Sequence, residues 1–417
     1  MRKIYLYLAI LIFFSCTRED INTDKSNDEN YVTLKESKSI ADSLQQYILH
    51  RKAKASAGIN KSRNTVLEKE IVGSDGTVVM RIFNYTEGGF IILAADRRAN
   101  PVLAYSDETS FSSDTVPLAT DAWLNDTKLE IDAIKARGTQ GTNVANILLK
   151  KAKYTQLLSG NMVSTIKTKA VGGNVAKPPP PKCEDSDFVK GPLLSTNWDQ
   201  IGGYNNYMPA KSCTPYYCNG KAFTGCVGTA MAQVMRYHQY PTTFNYSIMP
   251  SSVPNYSDVS AGANEISKLM WLAADAVGSD YKCDGTGAAA DISDISSTFK
   301  SIGYSTSATS GDFNSATVLS EITSNRPAIL SGYSTKSGSL FPTYSGGHVW
   351  VVDGAHHLIT CPETLPDGST VGGGGYLWFH MNWGWGGSHN GWFGYADANS
   401  GNGNYQYKRQ MVYNIHK

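Results

Sequence analysis

Apolar residues at 227, 230, 231, 234 and 235 fall on one face of a helix. Cys226 sits at its first turn and Pro241 lies beyond its end. The same period predicts helices over 33–52 (Leu34, Ile40, Leu44, Tyr47, Ile48), 263–277 (Ile266, Leu269, Met270, Ala273, Val277), 289–302 (Ile292, Ile295, Phe299) and 315–324. Trp123, Leu124, Ile131 and Ile134 mark one more. Short runs bounded by turn residues predict strands at 65–72, 77–84, 89–95 and 101–105, with hairpin turns at Ser74-Asp75-Gly76 and Glu87-Gly88-Gly89. Further strands are predicted at 327–333, 347–353, 376–382, 392–396 and 410–415, and the glycines 372–375 read as a loop between strands, either a plain surface turn or a border of the cleft.

This order of elements divides the chain. Residues 33–159 read as an α+β unit on an antiparallel sheet. Residues 193–417 read as a second unit, helices first and strands later, with a cleft between the two lobes. Between them, 160–192 read as a linker. Lys167, Lys169 and Lys177 flank small residues there, and prolines 178–181 make a stiff spacer. Weakly packed backbone of this kind is where proteases nick, so an activating cut is expected between about Lys167 and Lys190.

The N-terminus carries an address. Arg2 and Lys3 precede an apolar run, 4–14, too short to span a bilayer, so 1–15 read as a signal peptide. Cys16 follows at once, as at a bacterial lipoprotein cleavage site. Lipidation of Cys16 would anchor the chain to the cell envelope or outer membrane; an ordinary secretory signal is the alternative. Residues 16–32 read as a polar, acidic tether.

At 417 residues, two domains are expected. A net charge of +1 leaves no basic footprint for nucleic acid. After Cys16 come cysteines 183, 213, 218, 226, 283 and 361. Export permits disulfides, and Cys213 and Cys218 are close enough in sequence to pair. If Cys226 is free, five cysteines remain, so at least one more is unpaired. No second short-spaced Cys/His pair points to a metal, and none is expected. His356, His357, His380 and His389 read as structural or surface histidines.

The chemistry converges on three residues. A cysteine at a helix N-terminus faces unpaired N–H groups that favour its thiolate; the bland reading is a small buried hydrophobe. His348 lies 122 residues downstream in a β-type run, and Asn382 ends another run 34 residues later. A neutral imidazole takes the thiol proton, the thiolate attacks a carbonyl carbon, and the imidazolium protonates the leaving amine. The side-chain oxygen of Asn382 would hold the ring in one tautomer, and Trp383 would cover that bond.

The strings around Cys226, from Gly347-His348 to Asp353-Gly354, and from Asn382 to Gly387 resemble those of the streptopain-like cysteine proteases. Trp198-Asp199-Gln200 and Tyr204-Asn205 resemble the start of that family's mature enzyme, and 88–96 with 101–107 resemble its prodomain. The resemblance implies an α+β chain in which a papain-like two-lobe catalytic domain follows an antiparallel-sheet prodomain. It implies a latent, exported endopeptidase that needs no cofactor and cleaves protein or peptide through a Cys226 thioester. The chain's own prodomain would be its intramolecular inhibitor, covering the cleft and keeping the histidine out of place. The resemblance also implies that the backbone of Gly347 faces substrate. It places 284–287 along the cleft, with Asp284 standing where the family has serine.

Papain-like enzymes supply an oxyanion-hole glutamine shortly before the nucleophile, and 220–225 contain none. Beside the Cys226 N–H, the second donor is then Gln200, whose bland reading is a surface amide, or the indole N–H of Trp383 or Trp385. Two other functions compete: a cysteine amidase acting on cell-wall peptides, and a non-catalytic surface lipoprotein that binds through its aromatic residues. The long N-terminal region and the Trp-rich turn after Asn382 argue against the amidase.

Overall fold

The computed structural model describes residues 28–55, 64–86, 88–114, 118–137, 185–212, 220–253, 255, 257–281, 292–337, 343–364, 370–394 and 407–417. The signal segment, Cys16, the lysine- and proline-bearing part of the linker, the Cys213/Cys218 pair and Asp284 lie outside them.

Helix α1 (Leu34–Ala55) is followed by strands β1 (Thr65–Val72), β2 (Val78–Tyr85), β3 (Phe90–Ala94) and β4 (Val102–Ser106), then helix α2 (Leu118–Arg137). The four strands form an antiparallel meander in sequence order. Strand β2 is covered on both sides. Phe83 faces Ile40, Ala41 and Leu44 of α1, while Val79, Met80 and Ile82 join Leu124 and Ile131 of α2. Two covered faces explain why β2 reads as a nearly continuous apolar run. The end of the acidic tether is already structured: Tyr31 bridges to Asp96, and Asn30, Tyr31 and Val32 are buried.

The C-terminal part opens with β5 (Ser186–Lys190) and helix α3 (Gly225–His238). Helices α4 (Ala261–Ala276), α5 (Ile292–Ser301) and α6 (Ser315–Thr323) follow, with β6 (Thr309–Asp312) between the last two. Strands β7 (Ala328–Ser337), β8 (Thr343–Thr364), β9 (Thr370–Asn382), β10 (Gly391–Gly394) and β11 (Tyr407–Tyr413) complete it. Two expectations change here. Residues 186–190 are not spacer but a strand laid against β8, Ser186 opposite Ile359 and Lys190 opposite Ala355. Glycines 372, 374 and 375 are not a loop but the start of β9, paired with Pro362, Thr360 and Ile359.

Among the described residues one sheet runs through both parts, in the order β1-β2-β3-β4-β10-β9-β8-β7-β11-β6, with β5 also paired to β8. The junction is β4 on β10, where Tyr105 opposes Trp392 and Ala104 opposes Phe393. The cores are continuous there as well. Phe90 and Phe111 pack with Trp350, Phe379, Trp383 and Phe393 on one side of the sheet; Phe83, Ile91 and Tyr105 pack with Tyr376, Trp378 and Trp392 on the other. A separate core gathers α3 and α4 with Trp198, Phe299 and the buried face of β8. Gly228 lets α3 approach α4, because a Cβ there would stand 2.9 Å from the Cβ of Ala274.

Candidate active site

Helix α3 starts at Gly225, whose φ of +79° is a conformation other residues resist. The turn before it is tied down: Thr224 gives both its N–H and its hydroxyl to the carbonyl of Gln200, each at 3.0 Å. Cys226, one residue on, is half-buried and is the free cysteine among the described residues; Cys361 is disulfide-bonded. The backbone N–H groups of Val349, Val227 and Cys226 itself lie near enough to the Cys226 sulfur to favour its thiolate. Burial outweighs these donors and pushes the thiol pKa up. The thiolate expected from the helix terminus is therefore disfavoured in this covered state, because desolvation acts on the whole charge and the dipole only on part of it.

His348 precedes Val349 on β8 and is buried. Its ring lies against the Trp385 indole, 4.2 Å between centroids and 18° from parallel, with Trp350 stacked at 6.0 Å. Its Nε2 stands 3.0 Å from the carbonyl oxygen of Trp383. A carbonyl only accepts, so Nε2 carries the proton. Burial holds the pKa down to about 4, which keeps the ring neutral. The basic lone pair is then on Nδ1. No hydrogen bond joins the ring to the Cys226 sulfur among the described residues, so the ring on β8 and the thiol on α3 are not paired.

Asn382 stands beside this arrangement rather than on the ring. It ends β9 opposite Val351 and is buried. Its Nδ2 donates to the carbonyl of Thr196 at 2.6 Å, and its Oδ1 accepts the N–H of Gly384 at 3.3 Å. The acceptor that holds the imidazole is thus the backbone carbonyl of the next residue, Trp383, in place of the expected amide oxygen. That residue is itself fixed. Its N–H goes to Asn390 Oδ1 and its indole N–H to the carbonyl of His389, both at 3.0 Å. An indole committed in this way is removed from the candidate oxyanion donors.

Gln200 is buried, and its backbone carbonyl is used by Thr224. Its side-chain amide makes no hydrogen bond among the described residues. Gly347 is exposed and pairs with Tyr333 of β7; a Cβ on it would come within 3.0 Å of the Tyr333 ring. The neighbouring histidines are structural. His356 bridges Tyr105 and Asp187, His380 binds Asp353, and His389 binds Ser388 and the carbonyl of Ser112.

Three contributors escaped sequence reasoning. Trp350 reads as an ordinary strand residue, although it stacks on His348. Thr196 has no motif, although its carbonyl anchors Asn382. Asp199 accepts the Gln200 N–H at 2.6 Å and packs under the Trp383–Gly387 turn, with Oδ2 facing Gly386. Burial without a cationic partner raises its pKa to about 6. An acid inside the Trp-Asp-Gln string was the one visible sign of it.

Residues 198–248 and 242–393 match the peptidase C10 family, and residues 29–131 match the Spi protease inhibitor family. The chain is similar to streptopain of Streptococcus pyogenes serotype M1, 24% identical over 411 residues that cover 88% of this chain and 85% of that one. It is also similar to the thiol protease/hemagglutinin PrtT of Porphyromonas gingivalis, 26% identical over 377 residues, 80% of this chain and 36% of the relative. Among solved structures, a Prevotella intermedia prointerpain A fragment shares the fold. The TM-score is 0.54 at 22% identity, covering 85% of this chain and 99% of the fragment. The inhibitor-type match falls on α1, the β1–β4 meander and α2, and the peptidase match falls on the part that holds Cys226 and His348. The part that holds Cys226 and His348 therefore matches the peptidase C10 family, and the chain is a cysteine-type peptidase made as a zymogen, with its prodomain ahead of that catalytic part.

Proposed function

We propose that Cys226 is the nucleophile of this peptidase, His348 its general base and acid, and Asn382 the residue that positions the histidine. The observation that carries this is the nearness of the Val349 N–H, one residue past His348 on β8, to the Cys226 sulfur at a helix N-terminus. With Nε2–H held by the Trp383 carbonyl, Nδ1 of His348 is the nitrogen that takes the thiol proton. The thiolate attacks the scissile carbonyl carbon, the imidazolium gives its proton to the leaving amine, and water then hydrolyses the Cys226 thioester. The uncommitted amide of Gln200, pinned by Thr224 to the turn before the nucleophile, joins the Cys226 N–H in stabilising the oxyanion. Trp385 covers the ring, and the exposed Gly347 backbone is the edge on which a substrate chain lies. Asn382 acts through the turn: its two hydrogen bonds fix the peptide that presents the Trp383 carbonyl.

The arrangement is that of the latent form. A neutral ring stacked on Trp385 and an uncharged thiol leave nothing to attack a peptide. Activation requires the linker to be cut. Because 186–190 are laced to β8, the cut falls ahead of Ser186, within 160–185. Residues 1–15 direct export, Cys16 is the point of lipid attachment to the cell envelope, and proteins or peptides outside the cytoplasm are the substrates. One experiment tests the assignment. The activated chain is treated with an epoxysuccinyl thiol inhibitor, and both the labelled residue and the new N-terminus are sequenced. Label on Cys226 with casein cleavage is expected, with a start between 160 and 186. Label without casein cleavage would point to an amidase, and no label to a binding protein.

A further inference from the structure

Residues 388–390 close the turn that joins β9 to β10, and two of them, His389 and Asn390, are buried. Each makes one hydrogen bond to Trp383 and one to the prodomain. On the catalytic side, Asn390 Oδ1 accepts the Trp383 N–H and the His389 carbonyl accepts the Trp383 indole N–H, both at 3.0 Å. On the prodomain side, the Asn390 carbonyl accepts the Thr109 hydroxyl and His389 Nε2 donates to the Ser112 carbonyl, both at 3.1 Å. These prodomain residues follow β4 and lie outside its ladder with β10.

His389 is held in a conformation that few residues adopt. Its φ is +62°, in the left-handed region. Its ring is gripped from three sides. Ser388 Oγ donates to Nδ1 at 2.6 Å, Ser112 takes the Nε2 proton, and Phe111 packs on the ring edge to face, 4.6 Å between centroids. Two of those three partners belong to the prodomain. Backbone of this kind persists where its surroundings over-determine it, so the prodomain is part of what holds the turn. Trp383 carries the effect one step further, because its carbonyl takes the Nε2 proton of His348. A residue clamped at its N–H and at its indole aims its carbonyl in one direction; a loosened one does not.

We propose that His389 and Asn390 are positioning residues for His348, acting through the Trp383 carbonyl, and that prodomain residues 109–112 set them in the latent form. Their importance to catalysis rests on His348 being the base; the coupling itself does not. Removal of the prodomain takes the acceptor from His389 Nε2, the Phe111 ring from its face and the Thr109 hydroxyl from the Asn390 carbonyl. The turn then relaxes, and the hold on the His348 ring slackens.

The test uses the uncut full chain carrying Cys226→Ala, with isotope-labelled histidines, so that nothing is proteolysed and no catalytic role is assumed. Nitrogen resonances show which ring atom of His348 carries the proton, and solvent exchange of that proton shows how firmly it is held; His348→Gln assigns the signal. The reference chain should carry the proton on Nε2 and exchange it slowly. Asn390→Ala, which takes the acceptor from the Trp383 N–H, should speed exchange by about tenfold or more, the scale of one lost hydrogen bond. Asn390→Asp keeps an oxygen there and should restore slow exchange. Thr109→Val removes only the hydroxyl on the Asn390 carbonyl and should speed exchange in the same direction by less. Tyr105→Phe removes a prodomain hydroxyl from His356, away from the turn, and should change nothing. Unchanged exchange in a folded Asn390→Ala chain, or equal loss in Asn390→Asp, would overturn the positioning role. Unchanged exchange in Thr109→Val, or an equal change in Tyr105→Phe, would overturn the prodomain's part. Should Asn390→Ala fail to fold, Thr109→Val decides. Casein cleavage by an activated Cys226→Ala chain would sink the catalytic reading and leave this result standing.

Discussion

The Cys226→Ala chain, cut at its linker like the wild type, will hydrolyse casein slower by on the order of 10⁵-fold or more, the scale on which removing a nucleophile acts in an enzyme whose catalytic groups work as a unit. Folding should barely register the change. The sulfur is half-buried, and the backbone N–H groups that favour its thiolate all belong to α3 or β8 and keep their place in those elements. Unfolding should stay within about 1 kcal/mol of wild type. His348→Ala should be nearly as slow, but it will be less stable. It removes the stack on Trp385 and strips the Trp383 carbonyl of its donor, a cost of about 1–3 kcal/mol. Asn382→Ala should slow turnover less than either, because the Trp383 carbonyl survives and only its aim is loosened. Rates on casein and urea unfolding of all three variants separate these roles. Casein cleavage by Cys226→Ala at the wild-type rate would remove the peptidase mechanism from this thiol altogether.

A second large effect concerns pH. Asp199 titrates at about 6 in the folded chain, against an ordinary 3.8. A carboxyl whose folded pKa is raised favours its protonated form on folding. That stabilisation is complete below pH 4 and is lost as pH rises through 6. Two units correspond to about 3 kcal/mol. Asp199→Asn keeps an acceptor for the Gln200 N–H and has no charge to bury. It should match wild type at pH 4 and exceed it by about 2–3 kcal/mol at pH 7 and above. His348 works in the opposite direction. Its folded pKa of about 4 lies below the ordinary 6.5, so its contribution is present above pH 6.5 and lost as pH falls toward 4. Denaturation of wild type and Asp199→Asn in parallel at pH 4, 5.5 and 7 isolates the aspartate, since every other group cancels in the difference. A difference that does not change with pH would mean that Asp199 is charged and compensated throughout.

The helix that carries Cys226 was plain in the sequence because its apolar stripe and its stop at Pro241 are local signals. The β1–β4 meander was plain for the same reason: its hairpin turns sit between strands close in sequence. What local pattern does not carry was missed. The strand Ser186–Lys190 is short and largely exposed, so it lacks the alternation that marks a half-buried strand; its partner, β8, is some 170 residues away. Glycines 372–375 have loop composition, yet pairing across to β8 holds them extended. At the candidate active site, the cysteine, histidine and asparagine proposed as catalytic were singled out by type and order. The atom that holds the histidine was not, because it is a main-chain carbonyl and every residue has one. Asp199 was passed over because its effect comes from burial, which no residue type announces.

The join between β4 and β10 bears on what the enzyme is like once it has been released. Strand β10 is four residues long, and on one side its backbone partners belong wholly to the prodomain. Loss of that neighbour bares a rim of amide and carbonyl groups and uncovers Trp392 and Phe393, which the zymogen keeps almost wholly out of water. Such a rim is a template for another polypeptide. Freshly matured enzyme is thus born with a docking edge, and whichever extended chain reaches it first, a sister molecule or a detached propeptide, determines whether it remains single.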